Sequence, residues 1–122
     1  MMNKDQALQT FFSSFTWPAY DENSVPDDAA LPYITYEVMT DNIGNTVYLS
    51  ASLWDRSTSW TTINAKAREI AESLNYGGTT MRFDDGVIFI TQGSPFAQRM
   101  ADDDDTIRRI ILNFAVEFLS AA

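Results

Sequence analysis

Residues 106–119, TIRRIILNFAVEFL, constrain the fold more than any other stretch. Ile110, Leu112, Phe114, Val116 and Phe118 alternate with Arg109, Ile111, Asn113, Ala115, Glu117 and Leu119. Strict alternation with β-branched and aromatic side chains predicts a strand, one face of which enters a core. A helix would gather Ile107, Ile111, Phe114 and Phe118 instead, and is the weaker reading. A strand over these residues would span roughly 45 Å at about 3.3 Å per residue, longer than strands usually run. It is therefore expected to bend, carry a bulge or project, and it could extend an open sheet edge.

The rest of the chain supplies partners for such a strand. KDQALQTFFSSF spaces Leu8, Phe11, Phe12 and Phe15 as one helical stripe, predicting a helix from about Asp5 to Phe15 that Asp5 caps or stabilises. YITYEVMT and TVYLSASLW alternate on either side of DNIGN and predict an antiparallel hairpin, with Val47, Leu49, Ala51 and Leu53 inward. A second helix over about 60–75 would bury Ile63, Ala67, Ile70, Ala71 and Leu74 and turn Lys66 outward. Ser59 is its expected cap, and Gly77-Gly78 its stop. TTMRF-DDG-VIFITQG predicts another hairpin. Residues 93–105 read as irregular. So do residues 16–32, an arm of about seventeen residues, longer than ordinary connections. The expected architecture is α+β: one domain over 1–122, with a mostly antiparallel sheet, two helices and a long C-terminal strand.

Composition removes most chemistries. The chain has no histidine and no cysteine, which eliminates the commonest general base and metal ligand, thiol nucleophiles and disulfides. No glycine-rich phosphate loop follows a strand, and no serine–lysine motif or selected carboxylate pair suggests hydrolysis. No catalytic residue, cofactor or metal site is expected. Net charge is −9 from 17 acidic and 8 basic residues, which opposes specific nucleic-acid binding. No apolar stretch reaches the ~18 residues of a membrane span, and MMNKDQALQTFF lacks the order of a signal peptide. A soluble protein made and used inside a cell is the expectation.

The block Asp102–Asp105 lacks the alternating acids, glycine turn and distant glutamate of a calcium loop. Three readings remain for it: a solvated turn in which Asp104 or Asp105 pairs with Arg108 or Arg109, a charged interface element, or a weak cation site.

Taken together, the N-terminal helix, YITYEVMTDNIGNTVYLSASLWD, INAKAREIAESL, MRFDDGVIFITQG and RRIILNFAVEFL resemble the tail-terminator (tail-completion) and minor tail proteins of long-tailed bacteriophages and prophages. The serine-rich ASLWDRSTSW departs from that pattern. The resemblance implies a sheet packed on helices and self-association into a hexameric ring that ends the tail tube and meets the head connector. Its partners would be tail-tube and head–tail connector proteins, and DNA would pass through without specific binding. The location implied is the virion tail, after synthesis in the bacterial host cytoplasm. Subunit-interface candidates are Trp17 and Tyr20 on the arm, Trp54 and Phe96 as anchors, and Asp104, Asp105, Arg108 and Arg109 as charged contacts. The alternative is a small acidic adaptor or inhibitor that binds a partner protein through a sheet edge.

Overall fold

In the computed structural model, residues 3–37, 46–75, 77–84 and 86–120 are described. Six strands form one sheet in the order β1-β2-β3-β6-β5-β4. They are β1 (Ala19–Asp21), β2 (Tyr33–Tyr36), β3 (Thr46–Arg56), β4 (Thr79–Phe83), β5 (Gly86–Met100) and β6 (Ile107–Ser120), with helices α1 (Lys4–Ser13) and α2 (Thr61–Ser73). All pairings are antiparallel except β1 with β2. The class is the α+β arrangement expected.

The terminal run is indeed a strand, of 14 residues. Its place corrects one expectation: β6 extends no edge but lies in the middle of the sheet, between β3 and β5. Its length is taken up by two long neighbours. β3 pairs with it from Thr46↔Glu117 to Arg56↔Ile107, and β5 from Gly86↔Ser120 to Met100↔Arg109. The irregularity falls on β5, where Gln92 faces Phe114 and Ala97 faces Leu112. Four residues, Gly93–Phe96, thus oppose the single Asn113, whose Nδ2 donates to the Pro95 carbonyl at 3.0 Å. That insertion hides the alternation, and residues 93–100 are strand rather than the irregular segment expected.

One sheet face forms the core. Leu49, Ala51 and Leu53 sit opposite Phe114, Leu112 and Ile110, and Ile88 and Ile90 opposite Phe118 and Val116, all buried. Helix α1 begins with a capping box in which Asn3 and Gln6 satisfy each other's backbone N–H, so Asn3, not Asp5, is the cap. Asp5 remains in the first turn, where a negative charge favours the helix dipole. The phenylalanines of the first helix segment enter this chain's own core. Phe114 receives Phe11 and Phe12 edge-on, with centroids 6.1 and 5.5 Å away, and Phe12 stacks on Tyr36. Helix α2 buries Ile63, Ala67 and Ile70 as expected. Ser59 Oγ accepts from the Thr61 backbone N–H, although Trp60 holds the cap position.

Lys66 overturns its outward assignment. It is buried, and its ammonium donates to the Phe15 carbonyl at 2.6 Å, to Thr16 Oγ1 and to Glu69. Thr16 has φ +73°, so the lysine ties the sharp exit of the first helix to the second. The stretch 16–32 is likewise not wholly irregular, because β1 lies within it and pairs with β2. Phe83 pairs with Gly86 across the second hairpin's turn. Asp85, the DNIGN turn, Val38 and Met39 lie outside the described residues.

Candidate functional site

The ends of β3, β5 and β6 bring together residues distant in sequence. On the sheet face away from the helices, Tyr33, Trp54, Arg109 and Met100 form one row across β2, β3, β6 and β5. Arg109 lies over the Trp54 ring with its guanidinium carbon 4.5 Å from the centroid, and donates through Nε and Nη2 to Ser52 Oγ. Trp54 Nε1 in turn donates to Thr35 Oγ1 at 3.0 Å. This face also carries Tyr48, which is 70% exposed, together with Leu119 and Met100 as exposed apolar side chains.

On the opposite side of the same end, two arginines share one indole. The guanidinium carbons of Arg99 and Arg108 stand 4.8 and 5.2 Å from the Trp60 ring centroid. Arg108 Nη2 donates to the Thr58 carbonyl at 2.9 Å, while its Nε–H is buried without an acceptor. Stacking on an aromatic face suits guanidinium, which keeps its in-plane donors for other partners.

The acid block forms the turn between β5 and β6. Asp102 and Asp104 accept backbone N–H groups of Asp104 and Thr106, and Asp104 also accepts from Thr106 Oγ1. These bonds from Thr106 hold the Asp104 carboxyl below the usual range, with Arg56 adding a small pull. Its ion-pair partner is Arg56, at 4.0 Å, rather than Arg108 or Arg109. Asp105 is exposed. Among the described residues no group of three or more acidic side chains is placed to hold a metal.

The other candidates lie elsewhere. Trp17 packs partly buried against the core, with the Lys66 ammonium 5.4 Å from its ring centre. Tyr20 meets Tyr33 edge-on at 5.7 Å. Phe96 rests against Phe114 at 5.5 Å. The structure thus gathers Trp54, Asp104, Asp105, Arg108 and Arg109 at one end, leaves Trp17 and Tyr20 on the β1 side, and places Phe96 in the bulge.

Sequence reasoning missed Arg99 and Trp60. Arg99 stands in the stretch whose alternation the bulge interrupts, so no face could be assigned to it. A single tryptophan at a helix start carries no signal of its own.

At the β1 edge the acids crowd. Partial burial, followed by the nearby Glu37 carboxylate, raises the Glu22 pKa, while Arg109 opposes the shift. The edge itself is blunted: Gln9 Nε2 donates to the Ala19 carbonyl, and the Ser24 N–H to that of Asp21. No helix among the described residues is long and apolar enough to cross a membrane.

No family model matches the chain, and no curated protein matches it in sequence. Among solved structures it is similar to a chain of the virion of a native gene transfer agent (GTA) particle. The TM-score is 0.60 at 17% identity, covering 92% of this chain and 94% of that one. At that identity the likeness shows a shared fold over nearly the whole length.

Proposed function

We propose that this chain is a structural protein of a phage-related virion, and within it a ring-forming tail terminator that ends tail-tube growth and presents the tail to the head connector. The carrying observation is the end-to-end fold likeness to a chain of a gene transfer agent virion. The likeness covers 92% of the chain, so it is more than a shared hairpin or a sheet fragment. The residues agree with a mechanical role. Without histidine or cysteine, and with its described carboxylates spread over turns, strands and both helices, the chain supports assembly better than catalysis. A net charge of −9 per subunit would keep a ring's lumen from gripping the DNA that passes through it.

In this reading the chain is made in the bacterial host cytoplasm and ends in the virion tail, with copies of itself, tail-tube protein and connector proteins as neighbours. The test is to purify particles from cells carrying the gene, identify the chain by mass spectrometry and locate it with gold-labelled antibody. Label at the head–tail junction is expected. In parallel, light scattering and negative-stain images of the purified chain should give rings of six times the 13.7-kDa subunit. Particles that lack the chain would overturn the virion reading. Label along the tail, away from the junction, would overturn the terminator role alone.

A further inference from the structure

Charge is distributed unevenly along this chain. Between Lys4 and Arg56 there is no lysine or arginine, although Asp5, Asp21, Glu22, Asp27, Asp28, Glu37, Asp41 and Asp55 fall in that interval. β1 and the segment after it therefore carry acids and no base of their own. Four of the eight basic residues, Arg56, Arg99, Arg108 and Arg109, instead collect where β3, β5 and β6 end.

Three of these arginines, Arg99, Arg108 and Arg109, form no ion pair among the described residues, and the first two share Trp60. Among the described residues the ion pairs are Arg56–Asp104 and Lys66–Glu69. Arg99 and Arg108 form none, although Asp55 faces Arg108 in the β3–β6 register and the acid turn adjoins them, where Asp102 and Asp104 accept that turn's own N–H groups. In a protein with 17 acids and 8 bases, two neighbouring arginines without an ion pair stand out. Both are held by Trp60 rather than by an anion. Arg99 is exposed, and its stacked guanidinium keeps a planar fork of donors matched to a carboxylate.

We propose that the Arg99–Trp60–Arg108 corner binds the acidic segment Asp21–Asp28 of a second copy of this chain, head to tail. The inference rests on the assembly reading above and gives it a contact. Asp27 and Asp28 are exposed, and among the described residues neither enters an ion pair. β1 stands at one border of the sheet, and the arginine corner lies beyond β2 and β3 from it. Donor and acceptor surfaces on different sides of one subunit make a heterologous contact, which closes into a ring when the rotation per step permits. Main-chain pairing through β1 is disfavoured because Gln9 and Ser24 cap its outward carbonyls, so the contact is one of side chains. A nucleic-acid phosphate has the same affinity for guanidinium, but the chain's overall charge repels a polyanion.

The experiment is a charge swap on the full chain, with particle mass read by light scattering across concentration and salt. Arg99→Glu and Asp27→Lys/Asp28→Lys are each expected to weaken assembly at least tenfold while leaving the circular dichroism spectrum unchanged. An equimolar mixture of the two variants should restore it, since every contact in an alternating ring is again complementary. Wild-type assembly should loosen as salt rises. If Arg99→Glu assembles like the wild type, or the mixture fails to recover, the contact is wrong, and the presence of the chain in particles is a separate result. Wild type that stays monomeric throughout also overturns the contact, and the particle labelling then decides the virion reading by itself. If a double-stranded oligonucleotide binds wild type but not Arg99→Glu, and assembly is equal, the corner is a phosphate site and the proposal fails.

Discussion

Lys66 shows how one side chain can hold two helices in place. Its ammonium replaces water with the Phe15 carbonyl, Thr16 Oγ1 and Glu69, just where the backbone takes a positive φ. Lys66→Met keeps the aliphatic stem but strands the buried carbonyl, at a cost of about 1–3 kcal/mol. Urea unfolding of the variant should show that loss, and an unchanged midpoint would refute the tether. Glu69 is half exposed, so Glu69→Gln should cost less than about 1 kcal/mol.

The acidic edge adds a dependence on pH. Burial and Glu37 raise the pKa of Glu22, so the folded state holds that proton more tightly than the unfolded chain does. The ionised carboxylate therefore costs stability above its folded pKa, and the cost vanishes as pH falls below the unfolded value, about 4.3. Glu22→Gln is expected to raise the Tm at pH 7 and to match the wild type near pH 4. A lower Tm at pH 7 would show that the pull of Arg109 outweighs the repulsion.

At the scale of elements, the two glycines after α2 separate conformation from space. Both have positive φ. A Cβ at Gly77 would meet nothing within 4 Å, whereas at Gly78 it would lie 2.3 Å from the Ile90 carbonyl oxygen. Gly77→Ala should therefore cost only backbone strain, about 1–2 kcal/mol. Gly78→Ala adds a backbone collision with β5, for a total of about 3 kcal/mol or more. Equal midpoints in denaturant would contradict the close approach of α2's exit to β5.

Those glycines were readable as a helix stop, and the inward faces of β3, β6 and α2 were readable from their periods. Three features were not. β1 has only three residues, too few to show a period amid prolines and acids. The second half of β5 was masked by its four-residue insertion opposite Asn113. Lys66 joined the inward face because two of its three hydrogen-bond acceptors lie 50 and 51 positions away, which local patterning does not reveal. The candidate site followed the same rule. Arg108 and Arg109 stood out as neighbours, but alternation puts them on opposite faces, and only Arg108 joins Arg99 at Trp60.

For the whole molecule, strand order ranks local stability. β6 is bonded along both sides and buries Ile110, Leu112, Phe114, Val116 and Phe118, while β1 is a short border strand. Hydrogen exchange should find the slowest amides in residues 110–118 and faster exchange in 19–21. Comparable rates in both would mean that the sheet opens as one unit.

The central position of β6 also bears on how the protein is made. Ser50 and Asn113, bonded across β3 and β6, are 63 positions apart, and translation delivers β6 after both of the strands it joins. Until it arrives, a ribosome-bound chain holds two hairpins with no shared middle, and the long inner borders of β3 and β5 stand bare. Such borders recruit one another between chains. Crowded synthesis of many copies therefore favours keeping nascent chains apart, and a net charge of −9 acts in that direction while the sheet is still incomplete.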